Sequence, residues 1–92
     1  MNISLRHIRA LHAIRANGSF ARAAQELGVV PSALTETIRH FEAEAGASLF
    51  DRSQRPPVPT PLALAFLQET APLLEGLDLA LDRLRARRDQ TA

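Results

Sequence analysis

The feature that most restricts how this chain can fold is a three-residue gap, Gly28-Val29-Val30, between two apolar-periodic segments. Before it, Phe20, Ala23, Ala24 and Leu27 share one helical face over barely two turns. After it, Pro31 suits the first position of a helix, where its missing N–H would be unpaired anyway. Leu34, Ile38, Phe41 and Ala45 then continue at helical spacing until Gly46. So short a connection makes the two helices cross steeply and closely, which demands small side chains at the crossing, and Ala23-Ala24 supply them. Val29 is expected to pack beneath the turn, and Leu34 with Ile38 to close the core under the second helix.

The flanking segments complete a small head. Leu5, Ile8, Leu11 and Ile14 recur every three residues, predicting a helix from Leu5 to Ala16 that Asn17-Gly18 ends, with Ser19 capping the next one. From Ala47 to Thr60 the helical period is lost and Pro56, Pro57 and Pro59 appear, so this stretch reads as an extended hairpin. Pro59 falls where the return strand should run and cannot donate a ladder hydrogen bond, which predicts a short or irregular wing. Thr60-Pro61 repeats the cap-plus-proline pattern and opens a long helix to about Arg88, with a kink expected at Pro72. Along it Leu67, Leu74, Leu77, Leu81 and Leu84 are spaced by three, four and seven. The head has its own apolar set, so these leucines read as a homodimer seam. The expected architecture is mainly α: a three-helix head with a short β wing over residues 1–60, then a dimerisation helix over 61–92.

Composition removes several classes of function. The chain has no Cys, which excludes disulfides, thiolate metal sites and a Cys nucleophile. No signal peptide is visible, and no run approaches the ~20 apolar residues needed to span a bilayer, so a cytoplasmic protein with no membrane association is expected. His7, His12 and His40 share no metal-ligand spacing and read as surface or half-buried side chains. With no nucleophile–base pair, glycine-rich phosphate loop or metal set, neither an enzyme nor a cofactor is expected. At 92 residues the core is small, and association with a partner is the natural remedy.

Net charge is +1, every basic residue is Arg, and the distribution is uneven. Residues 1–55 hold seven Arg against five acids, whereas 56–92 hold four against five, so the front end is the more basic. Two short helices joined by a tight turn form the helix-turn-helix pattern, which presents its second helix to the major groove. The periodicity leaves Ser32, Thr35, Glu36 and Arg39 on the outer face of that helix. A competing reading makes the leucine-rich tail the working part of a helical interaction module, with the head as a scaffold.

The stretch SFARAAQELGVVPSALTETIRHFEAEAGASLFDR, residues 19–52, resembles the N-terminal domain of LysR-type transcriptional regulators. The resemblance rests on Ser19-Phe20 before Ala23-Ala24, Pro31-Ser32-Ala33-Leu34, Ile38 followed by Glu42, then Gly46, Leu49-Phe50 and Arg52. Arg55-Pro56-Pro57 with Thr60-Pro61 extends it over most of the chain. It implies a winged helix-turn-helix whose linker helix pairs two subunits on a partly palindromic site in double-stranded DNA, with half-sites roughly 34 Å apart or a multiple of that. It also implies a larger C-terminal effector-sensing domain that these 92 residues lack, so a small-molecule effector would act only through that absent domain.

Carried onto this sequence, the resemblance places Pro31, Ser32, Thr35, Glu36 and Arg39 toward DNA. Ser19 and Arg22, at the start of the second helix, are candidates for holding a phosphate. Arg55, beside two prolines, is the candidate for minor-groove insertion. Arg52 flanks the wing either as a DNA contact or as a structural partner of Asp51 or an acid of the third helix. Two positions depart from the pattern. Glu36 stands where relatives commonly carry a basic or amide side chain, so it either accepts from cytosine N4 or pairs with Arg39 or His40. Val30 takes the N-cap position usual for Ser or Thr, forfeiting a bond worth ~1 kcal/mol.

Overall fold

A computed structural model describes residues 2–91. Its elements run α1 (Leu5–Asn17), α2 (Phe20–Leu27), α3 (Pro31–Ala45), β1 (Phe50–Asp51), β2 (Val58–Pro59) and α4 (Pro61–Thr91). Local chemistry accounts for the boundaries. At the start of α1 the Ser4 N–H donates to Nδ1 of His7 at 3.1 Å. Ser19 caps α2 by accepting the Arg22 N–H at 3.1 Å. Gly28 turns the chain in the left-handed region, at φ 71°, and the Val29 N–H bonds back to the Ala24 carbonyl at 3.0 Å. Val30 stands at the start of α3 with no side-chain bond, as its apolar side chain dictates.

The core sits where the three short helices meet. Leu11, Leu34 and Ile38 are the largest fully buried side chains, and Ala23 and Ala24 lie buried between them. Residues nearer the helix ends fall outside this closest approach. Leu5, Leu27 and Val29, read as inward-facing from periodicity, are partly exposed and line a shallow groove between α1 and α3. His7 also departs from expectation. It is buried, with its ring 5.1 Å from that of His40 and edge-on to Phe41.

The wing is a two-residue antiparallel pair, Phe50 opposite Pro59 and Asp51 opposite Val58. Thr60 donates its N–H to the Leu49 carbonyl at 3.0 Å, which makes Leu49 and Thr60 a hydrogen-bonded pair. Such pairs alternate with non-bonded ones in an antiparallel ladder, so Phe50 and Pro59 are a non-bonded pair. The nitrogen of Pro59 therefore faces away from β1, and its missing hydrogen costs the ladder nothing.

Thr60 also accepts the Ala63 N–H at 3.2 Å, capping α4. The start of α4 belongs to the head. Ala63 is fully buried, and Phe66 packs edge-on against Phe41 at 5.7 Å. Leu67, placed on the dimer seam by the leucine spacing, is only 4% exposed and completes the head's own core. One turn separates it from Ala63, so the docking that buries the alanine buries the leucine too. Beyond that point α4 continues without interruption through Pro72 and Gly76. At 31 residues it is about 46 Å long, and it accounts for most of the molecule's 53 Å length. Among the described residues no helix is long and apolar enough to cross a membrane.

Burial makes His7 harder to protonate, and the nearby His40 and Arg6 add to this against a weaker opposing pull from the Ser4 bond and Glu44. His12 is also pushed down by burial. A histidine held neutral by the fold contributes stability in full above its unfolded value of 6.5, and that contribution is lost as pH falls below it. Urea titrations followed by circular dichroism should therefore give a lower midpoint at pH 5 than at pH 7.5, and His7→Gln should flatten part of that slope.

Candidate nucleic-acid interface

Burial of Leu34, Ile38 and Phe41 fixes the orientation of α3 and turns Ser32, Glu36 and Arg39 to solvent, with Pro31 exposed at its start. Thr35 is only half-exposed, because it lies a quarter turn round toward the wing side, where Glu42 also sits. Val30 brings no capping oxygen and Pro31 no N–H; the Ala33 and Leu34 N–H groups return to the Val30 carbonyl. The Ser32 N–H has no acceptor among the described residues. The uncapped start of α3 thus offers one free donor at the positive end of the helix dipole.

Glu36 forms no ion pair among the described residues, so neither Arg39 nor His40 neutralises it. The His40 ring packs against His7 instead, tilted by 35°. Arg22, Arg39 and Arg55 likewise have no acidic partner among the described residues. Their charge is available to an external anion.

Glu42 organises the wing, a role that sequence inspection missed. Its Oε2 accepts the Leu49 N–H at 2.8 Å and its Oε1 accepts from Arg52 at 3.2 Å. Arg52 therefore pairs with an acid of the third helix, one of its two expected roles. Its guanidinium also lies 6.0 Å from the centre of the Phe20 ring, which packs at 5.1 Å against Phe50. These contacts bring the start of α2, with Ser19 and Arg22, beside the wing. At the wing tip the Asp51 carboxylate accepts from the backbone and hydroxyl of Ser53, at 3.0 and 2.6 Å. Those two bonds hold its carboxyl below the ordinary aspartate value. Arg55 follows on the exposed far side of this turn. The described residues contain no cluster of side chains able to hold a metal ion.

Comparison with known proteins agrees with this geometry. Residues 5–64 match the family model described as bacterial regulatory helix-turn-helix protein, lysR family. The transcriptional regulator CbbR of Sinorhizobium medicae (strain WSM419) is 38% identical over 85 residues, covering 92% of this chain and 27% of that protein. The DNA-binding domain of BenM in complex with benA site 1 DNA superposes with a TM-score of 0.83 at 30% identity, covering 94% of this chain and 97% of that one. Full-length BenM superposes with a TM-score of 0.80 at 31% identity over 90% of this chain and 27% of that one. The chain thus spans about a quarter of the length of the curated relatives it matches.

Glu42 joins α3 to the wing through a charge-assisted bond to a partly buried N–H, and such bonds are worth about 1.5–3 kcal/mol. Glu42→Ala should lower unfolding free energy by about 2 kcal/mol in urea titrations and speed hydrogen exchange at the Leu49 amide.

Proposed function

This chain belongs to the lysR family of bacterial regulatory helix-turn-helix proteins, and from that membership we propose that it reads double-stranded DNA as a homodimer. The observation that carries the reading is the outer face of α3. The apolar side of that helix is spent on the core, which leaves Ser32, Glu36 and Arg39 facing solvent, flanked by Thr35 and Pro31. In the major groove these side chains read base edges, and Glu36, free of any cation in its own chain, takes the cytosine N4 role. Ser19, Arg22 and the Ser32 N–H hold phosphates, while Arg55 enters the minor groove from the wing. Arg52 acts first by fixing the wing to α3 through Glu42.

The linker helix pairs the two subunits. Among its leucines Leu73 is 69% exposed and Leu84 63%, with Leu81 also exposed and Leu74 and Leu77 half-buried. The spacing Leu73, Leu77, Ala80, Leu84 is a four-three-four seam on the side the head leaves open. Of the sequence-derived seam Leu77 and Leu84 stay on this line, Leu73 and Ala80 join them, Leu67 leaves for the head's core, and Leu74 and Leu81 flank the line. In this reading residues 1–60 with the first two turns of α4 form the reading head, and the remainder of 61–92 the pairing helix. The protein works in the cytoplasm, where its DNA is. Control by a small molecule belongs to a domain outside these residues.

Selection from a random duplex pool followed by gel shifts over a range of salt tests this reading. With Arg22 at a phosphate and Arg55 in the minor groove of each subunit displacing about four counterions per dimer, affinity should fall about a hundredfold between roughly 50 and 200 mM salt. A module built only for protein contacts would shift no duplex at any salt. Arg55→Ala should weaken the selected operator about tenfold, or ~1.4 kcal/mol, with an unchanged melting temperature. Leu73→Glu and Leu84→Glu should each give monomers in sedimentation velocity runs; dimers that persist in both would place the seam elsewhere.

A further inference from the structure

Two polar contacts tie α1 to α4 well beyond the shared core. Arg9 Nη2 donates to Oδ1 of Asp78 at 2.9 Å, across 69 residues of sequence. Nε2 of His12 lies 2.7 Å from the Thr70 hydroxyl oxygen. That hydroxyl spends its own hydrogen on the Phe66 carbonyl at 2.8 Å, so it accepts from the histidine N–H. The ion pair is 35% and 56% exposed, and solvent screening leaves such a pair little weight in folding stability. What it contributes is direction. Thr70 and Asp78 lie about 4 and 16 Å along the helix from Leu67, the last buried anchor of α4. A rod held only at its root can swing, whereas one held again at two further points has a fixed heading.

We infer that Arg9–Asp78 and His12–Thr70 are the positioning contacts that set the angle between head and linker helix, and with it the half-site spacing that a dimer selects. The inference rests on the proposed reading that α4 pairs two DNA-reading subunits. In such a dimer the two heads are attached to one shared axis, so any tilt at the α1–α4 contact becomes a displacement of the reading helices. Across the 22 Å thickness of the molecule a tilt of about 9° moves the far side by about 3.4 Å, the rise of one base pair. A weak ion pair can therefore discriminate between neighbouring spacings without contributing much to folding.

The test uses the operator selected by the 92-residue chain, with one to four base pairs inserted or deleted between its half-sites. The parent should prefer its own spacing by at least about tenfold over neighbours one pair away. Arg9→Ala and Asp78→Asn should each reduce that preference to about threefold or less, leaving affinity for an isolated half-site within about twofold of the parent. Arg9→Asp combined with Asp78→Arg keeps the net charge and should restore the preference. Thr70→Val should broaden it further in the Asp78→Asn background. Spacing profiles that superimpose on the parent's, or that fall equally at every spacing, would overturn the inference while the DNA-reading role stands. A parent that binds its operator with no spacing preference would do the same. A parent that selects no sequence from the pool would remove the DNA-reading role, and this inference with it.

Discussion

The orientation of every outward-facing group on this molecule depends on how closely α2 lies against its neighbours, and two methyl groups set that distance. Ala23 and Ala24 are buried at the crossing, so α1 and α3 can both reach Leu11, Leu34 and Ile38 at the centre. A larger side chain at either position would drive the helices apart and force buried residues off their rotamers, at a cost of about 1–3 kcal/mol. The consequence would reach the surface. Rotating α3 by one residue's worth of its period, about 100°, would replace Ser32, Glu36 and Arg39 with another face.

Much of the fold is legible in the sequence because it is written locally. Ser19, Gly28 and Pro31 each act on the backbone within a few residues, and the observed bounds of α2 coincide with those that these residues imply. The shortness of the wing is also legible, though through a different cause. Proline in β2 is harmless to the ladder, and the two-residue pairing is limited instead by the turn that Asp51 and Ser53 build at the wing's far end.

What remained illegible is non-local. Periodicity assigns Leu67 and Leu74 to the same stripe, and nothing along the chain marks the point at which that stripe leaves the head and meets solvent. Only the docking of Ala63 and Phe66 decides it, through contacts with helices far back in sequence. The same holds for Glu42, whose two acceptor oxygens reach residues seven and ten positions away, and for His7 and His40, which meet across α1 and α3. Spacing rules for metal ligands say nothing about two imidazoles packed against each other at a tilt. The outer face of α3 is readable because solvent exposure follows from the buried stripe, but among the described residues the pairing of Glu36 with Arg39 or His40 does not form, and His40 lies against His7.

A two-stranded sheet is all edge, and an unprotected edge invites strands from other molecules. Because the nitrogen of Pro59 points outward from β2, the outer rim of the wing lacks a donor at the place where a foreign strand would begin to pair. An exposed, arginine-tipped hairpin is thereby kept from adhering to its own copies.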